Sequence, residues 1–334
     1  MRYPPQPFSI TTESIHDLYM YWLNNLIPFG WKSLFLIPPW LKAWDTAFSE
    51  GDSTSEITVF RTDNRIIGVV PLLVKDKRAS IIGSPNVCDY TGLIVTPGNE
   101  SNILLSLFTY LSSRGIDTFT FYGIREDDSM YMQFIEMSRD TRRESIVTLL
   151  DVSFETMLPA TWLEYLDALS GKQRHEIRRK MRRLTESGDI ALRIIENPGE
   201  VSSVYDDFLR LFLAGRKEKA DFMNPEMATF FSSLMIDMAE SGLLRLYFLD
   251  INKIPVATAL CFEYDNTMFL YNSGYDPQFS SLSVGLMCKA LSIQNAIERG
   301  CKTYDFLKGQ EPYKQRLGGA PVSVMQMEFD LRTV

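Results

Sequence analysis

Residues 243–274 read LLRLYFLDINKIPVATALCFEYDNTMFLYNSG. Apolar and polar residues alternate along this stretch, the pattern of half-buried strands. The alternation breaks at Asp250–Asn252 and at Asp265–Asn266, whose polar residues suit tight hairpin turns. The stretch is therefore expected to form a three-stranded antiparallel meander.

Working outward, ALRIIE (191–196) has strand character, while SVYDDFLRLFLAGRKEKA (203–220) and PEMATFFSSLMIDMAESG (225–242) have helical periodicity. After the meander, SVGLMCKALSIQNAIERG (283–300) predicts a helix that stops at Gly300, followed by strands KTYDFL (302–307) and VSVMQMEF (322–329). The expected order is β-α-α-β-β-β-α-β-(short α)-β. A second, fainter copy precedes it. NRIIGVVPLL (64–73) resembles NKIPVATAL (252–260), and RGIDTFTF (114–121) matches RGCKTYDF (299–306) at Arg, Gly, Thr and Phe. The two segments lie 50 residues apart in the first copy (Asn64 to Arg114) and 47 in the second (Asn252 to Arg299). Agreement in sequence and spacing predicts two copies of one fold unit.

The chain has 334 residues, 45% hydrophobic and 23% charged, which is globular composition of two-domain length. The start, MRYPPQPFSI, lacks a secretory pattern, and the apolar windows are cut by prolines well short of a membrane span. Four cysteines without CxxC spacing and two histidines argue against a zinc site or a disulfide framework, so no metal and a reducing cytoplasm are expected. The acidic pI disfavours general nucleic-acid binding.

One segment opposes that acidity. GKQRHEIRRKMRRL (171–184) holds seven basic residues against one carboxylate, Glu176. The chain's net charge is -8, so subtracting this +6 leaves -14 elsewhere. Ser170-x-x-Gln173 is a capping box, and a helix over 171–187 with Gly188 as its stop is expected. Ile177, Met181 and Leu184 form a narrow apolar stripe, and basic side chains cover most of the remaining surface. A solvated linker helix is one reading. Recognition of phosphates, on an anionic ligand or an anionic membrane surface, is the other.

The order of elements, with a polar loop leading from the third meander strand into a helix, resembles the GNAT acyltransferase fold. GKQRHEIRRKMRRL, RKEKADFM, LYNSGYDPQFSSLSVG and YDFLKGQEPYKQRLG are similar to CelD-like acetyltransferases associated with polysaccharide synthesis, relatives of the FemABX peptidoglycan transferases. The resemblance covers residues 161 to 318 and is faint before them. It implies a mixed α/β chain of tandem GNAT-like domains, each a mostly antiparallel twisted sheet flanked by helices. The expected division is a degenerate domain over 1–158, a basic interdomain helix over 159–188 and an acyltransferase domain over 189–334. The implied activity is transfer of an acetyl group from acetyl-CoA to an amine on a cell-envelope polysaccharide or its precursor. The alternatives are an aminoacyl-tRNA-dependent transferase of FemABX type and a non-catalytic polysaccharide-assembly or membrane-binding subunit. A cytoplasmic location, with peripheral contact at the inner face of the membrane, goes with this reading.

A helix start offers free backbone N–H groups to a pyrophosphate, and the run Ser281, Leu282, Ser283, Val284, Gly285 stands there, near Tyr271 and Asn272. Only Gly285 matches the glycines of the usual GNAT loop, and a plain serine N-cap is the alternative. In the first copy, VTPGNESNIL (95–104) puts Glu100 where an anion would bind, so that copy is expected to have lost the site. With so few histidines, a carboxylate base and a tyrosine acid are expected, and Asp305 and Tyr313 are the first choices. Asp276, which also suits a turn before Pro277, and Glu311 are further candidates. Arg174, Arg178, Arg179, Arg182 and Lys219 are the candidates for an anionic sugar or lipid-linked acceptor. The cysteines are expected to be buried hydrophobes rather than nucleophiles.

Overall fold

The structure is a computed structural model and describes residues 8–24, 31–49, 53–83, 85–141, 144–214 and 222–332. The chain divides into two compact units, residues 1–152 with 322–334, and residues 153–321.

The first unit runs β1 (Ser9–Glu13), α1 (Ile15–Leu23), α2 (Pro38–Phe48), β2 (Thr54–Thr62), β3 (Arg65–Lys75), β4 (Arg78–Ile81), β5 (Ile94–Val95), α3 (Glu100–Ser113), β6 (Thr118–Arg125) and α4 (Ser129–Thr141). β7 (Ser145–Met157) then carries the chain into the second unit. There follow α5 (Trp162–Ala168), α6 (Gly171–Thr185), β8 (Ile190–Ile195), α7 (Pro198–Leu213), α8 (Pro225–Glu240), β9 (Leu244–Ile251), β10 (Ile254–Tyr264), β11 (Thr267–Tyr275), α9 (Val284–Glu298), β12 (Thr303–Lys308) and α10 (Pro312–Arg316). β13 (Ala320–Asp330) leads back to the first unit. The expected meander is β9–β10–β11, and the expected order of the second copy is the observed one.

Within each unit the strands follow one scheme. In the first, β1, β2, β3 and β4 are antiparallel neighbours, β4 pairs parallel with β6, and β13 closes antiparallel on β6. In the second, β8 to β11 are antiparallel neighbours, β11 pairs parallel with β12, and the end of β7 closes antiparallel on β12. The hairpin turns at Asp63–Asn64, Asn252–Lys253 and Asp265–Asn266 each place two residues at positive φ, the type I′ geometry that matches strand twist.

The repeated Arg-Gly has a shared cause. Gly115 and Gly300 take φ of +79° and +85° just past α3 and α9. The next residue then bonds back into the helix, Ile116 N–H to Leu111 O (3.1 Å) and Cys301 N–H to Ala296 O (3.0 Å). The strand that follows is hooked to the preceding hairpin in the same way. Asp117 and Thr118 donate to Lys77 O at 2.7 and 3.3 Å, and Lys302 and Thr303 donate to Asn266 O at 2.7 and 3.3 Å. The sequence repeat is a structural repeat.

Each unit has its own core. Phe108, Phe119, Phe121, Phe134 and Phe329 pack together in the first, with Phe108 and Phe329 centroids 4.9 Å apart. Phe208, Phe212, Phe230 and Phe231 of α7 and α8 pack together in the second. The cysteines Cys88, Cys261, Cys288 and Cys301 are all buried and free. Burial pushes the Cys288 thiol up to about 12, and those of Cys261 and Cys301 also rise.

Two local expectations are corrected. α6 has the Ser170–Gln173 capping box but ends at Thr185 with Glu186 as its C-cap, so Gly188 lies beyond it. A Cβ at Gly188 would meet the Asn252 side chain at 2.8 Å, and its neighbour Asp189 exchanges hydrogen bonds with Asn252. Gly188 therefore serves the approach of the β9–β10 hairpin. Asp305, a charge in the apolar run YDFL that an edge strand would tolerate, lies instead on an interior strand, because β12 has neighbours on both sides.

Candidate functional site

β11 and β12 pair for three residues only, Thr267–Phe269 with Thr303–Asp305. Beyond them each strand is deflected. β11 carries a bulge at Tyr271 against β10, and β12 a bulge at Phe306 against β7. A parallel pair that separates in this way has no shared ladder beyond Phe269 and Asp305, a divergence at which a ligand can lie between the two strands.

The start of α9 has free donors. Ser283 is the N-cap but sits at φ +57°, ψ +36°, in the left-handed region, and its side chain makes no capping bond. The N–H groups of Leu286 and Met287 fold back onto Ser283 O. Those of Val284 and Gly285 donate to no acceptor among the described residues. The plain serine cap is therefore absent, and an uncapped helix start aligned with its dipole favours an anion. Ser281 is exposed, Leu282 and Ser283 are half-buried, and Val284 and Gly285 are buried. Gly285 has a packing role too, since a Cβ there would stand 2.8 Å from Tyr275 Cδ1.

The first unit handles the equivalent positions differently. Glu100 precedes Arg114 by 14 residues, and Gly285 precedes Arg299 by 14, so Glu100 takes the place of Gly285. It is buried in the first turn of α3. There the chain also lies against β6: Thr91 N–H and Oγ1 donate to Gly123 O (2.9 Å) and Tyr122 O (2.6 Å). A Cβ at Gly123, whose φ is +86°, would collide with the Asp89 carbonyl. The first unit fills with its own backbone the side of β6 that matches the open side of β12.

The proposed acid and base positions fall on β12 and α10. Asp305 is 2% exposed, and its Oδ1 accepts from Leu307 N–H at 2.7 Å, bracing the bulge where Leu307 reaches φ +60°. Tyr313 is half-buried with its ring edge-on to Phe306, centroids 6.4 Å apart. Glu311 is half-buried and pairs with Lys314 Nζ at 3.1 Å. Lys314, 1% exposed, also donates to the Leu307 and Lys308 carbonyls and so ties α10 to the end of β12. Asp276 caps the 3-10 turn Pro277–Leu282 through Gln278 N–H (2.9 Å), the turn role weighed for it above. Tyr271 is half-buried against Phe231 and Phe262, and Asn272 pairs with Leu260 on β10.

One residue escaped the sequence reading. Lys289 is 7% exposed, donates from Nζ to Gly285 O at 3.2 Å, and lies 4.5 Å from the Tyr313 ring centroid. It thus links the start of α9 to the tyrosine on α10. The available signal was a lone lysine between Cys288 and Ala290 on an otherwise apolar helix face, one turn after Gly285. No group of residues able to hold a metal ion occurs among the described residues.

On α6, Ile177 and Leu184 are buried and Met181 half-buried, as the stripe predicts. Arg179 grips Glu176 with two bonds of 2.9 Å, and Lys180 adds a 3.3 Å contact. Arg174 and Arg178 reach Asp167, at 3.4 and 3.8 Å, and Arg182 reaches Glu186 at 3.8 Å. Lys172 and Arg183 are exposed without an ion pair among the described residues. Lys219 lies outside the described residues.

Comparison with known proteins agrees with this architecture. No curated protein matches the chain in sequence. FemX shares the fold with TM-score 0.66 at 10% identity, covering 96% of this chain and 97% of that one. The C-terminal domain of a putative lysylphosphatidylglycerol synthetase from Agrobacterium fabrum gives 0.59 at 9% identity, covering 94% and 92%. A tandem GNAT protein from the clavulanic acid biosynthesis pathway gives 0.52 at 10%, covering 97% and 98%. The fold is that of tandem GNAT proteins, and residues 171–315 match the acetyltransferase (GNAT) domain family.

Proposed function

We propose that the protein is an N-acyltransferase that takes acetyl from acetyl-CoA at the second unit and passes it to an amine on a cell-envelope sugar or precursor. The observation that carries this reading is the uncapped start of α9, where Val284 and Gly285 offer N–H groups beside the divergence of β11 and β12. Ser281, Leu282 and Ser283 would flank the pyrophosphate, and the Tyr271 bulge with Asn272 would border the acyl arm. The acceptor amine must lose a proton as it attacks the thioester carbonyl, and the departing thiolate must gain one. Asp305 is the proposed base and Tyr313 the proposed acid, with Lys289 Nζ held 4.5 Å from the centre of its ring. Glu311 belongs to this design as the partner that orients Lys314, and Asp276 as the cap that fixes the loop. The first unit, with Glu100 at the matching helix start, would have no donor site and act as a scaffold.

The test is release of free thiol from acetyl-CoA in the presence of amino-sugar nucleotides. Amine-dependent release supports the reading. Absence of both turnover and acetyl-CoA binding would instead favour a non-catalytic subunit. Copurifying aminoacyl-tRNA consumed on addition of acceptor would favour the aminoacyl route.

A further inference from the structure

α5 and α6 enclose an open groove of about 290 Å³ whose floor is apolar and whose rim is cationic. Trp162, Leu166, Ile177 and Met181 line it, and Arg178 and Arg182, one turn apart, stand along its side. The floor is well supported. The Trp162 ring stacks on Tyr165 at 5.0 Å and 20°, and Tyr165, buried, donates its hydroxyl to Leu317 O at 2.6 Å. Next to Trp162, Leu163 is 60% exposed.

A solvated helix has no use for this arrangement. An apolar slot open to water carries a hydration cost, and the acidic body of the protein offers the arginines few partners. Their carboxylates lie 3.8 Å away on exposed side chains, a contact that contributes little and is easily exchanged. The ligand chemistry that matches is an anionic head joined to an aliphatic chain. Nucleic acid fits less well, because Leu166, Ile177 and Met181 are aliphatic and Trp162 already stacks on Tyr165, leaving little for base stacking.

We infer that this groove docks the protein on an anionic phospholipid surface, with Arg178 and Arg182 on phosphates and acyl-chain segments or Leu163 reaching the apolar layer. The remainder of the chain, at a net charge of -14, is repelled by such a surface, so the basic face is the one presented to it. No helix among the described residues is long and apolar enough to cross a membrane, and attachment of this kind needs none. The inference stands apart from the acyltransferase reading.

Cosedimentation of the full chain with vesicles of phosphatidylglycerol or of phosphatidylcholine tests it. The protein is expected to sediment with phosphatidylglycerol only. Arg178→Gln with Arg182→Gln should weaken binding about twenty-five-fold, taking about fivefold per arginine at an anionic surface. Lys172→Gln with Arg183→Gln, which removes two exposed cations outside the groove, should weaken it clearly less. Circular dichroism of both doubly substituted proteins, whose changes are on exposed side chains, reports folding. Equal losses from the two pairs would show diffuse attraction and overturn the groove as the docking site. No binding to phosphatidylglycerol, or its displacement by RNA at lower concentration, would overturn the inference altogether. Because vesicle binding is measured without turnover, its failure and a failure of acyl transfer are separate results.

Discussion

At Asp305, removing the charge and removing the hydrogen-bond acceptor are separable changes. Asp305→Asn keeps an oxygen for Leu307 N–H, so the bulge should hold while the base is lost. Thiol release is expected to fall roughly a hundredfold or more, with acetyl-CoA affinity little changed. Asp305→Ala should also destabilise the fold, by about 1 to 3 kcal/mol for a buried donor left unpaired. Wild-type turnover in the Asn variant across pH would reduce Asp305 to a brace. Tyr313→Phe preserves the ring that Lys289 and Phe306 contact. It should therefore lower kcat without moving acetyl-CoA affinity, as measured by stopped assays and calorimetry. Asp305 and Tyr313 are candidates by residue type alone, whereas a helix-face lysine such as Lys289 declares its burial only once α10 is placed.

Among the elements, the start of α9 and the middle of α6 each carry an electrostatic test. Ser283→Asp places a carboxylate at the start of α9, in a backbone conformation that Asp tolerates better than most residues. Satisfying the free N–H groups should stabilise the fold by about 0.3 to 1 kcal/mol while excluding the donor's phosphates. A melting curve and a binding titration on one sample check both signs. On α6, the Arg179 guanidinium and the Lys180 ammonium hold the Glu176 carboxyl down at about 2. A depressed carboxylate contributes its stability above the ordinary value and loses it as pH falls through the folded one. The contribution is thus present at neutral pH and lost between about 4.5 and about 2. Titration followed by NMR should show Glu176 returning toward the ordinary carboxylate range in Arg179→Gln. The helices, the capping box of α6 and the meander are legible because their signals are local, whereas the end of α6 at Glu186 and the uncapped start of α9 are not.

For the whole molecule, the repeat was legible in two short segments, since the helix stop, the hook to the hairpin and the following strand demand similar residues in both copies. What periodicity cannot supply is the partner of a strand. VSVMQMEF was recognised as a strand, yet its pairing with β6 depends on contacts some two hundred positions away. Phe329 on that strand packs on Phe108, Phe121 and Phe134 in the first unit. Phe329→Ala should cost about 3 to 5 kcal/mol in urea unfolding and leave acetyl-CoA affinity unchanged in the folded fraction. The bulge at Phe306 is equally hidden, because it is a property of long-range geometry. On this reading the two like units differ in one function, the proposed donor site being open at α9 while in the first unit both Glu100 and the chain at Thr91, bonded to β6, occupy its counterpart. Calorimetric titration of acetyl-CoA tests it most directly. A stoichiometry of one per chain is expected, abolished by Ser283→Asp and unchanged by Glu100→Gly, which leaves Thr91 bonded to β6. A stoichiometry of two, or full binding by the folded Ser283→Asp protein, would contradict it.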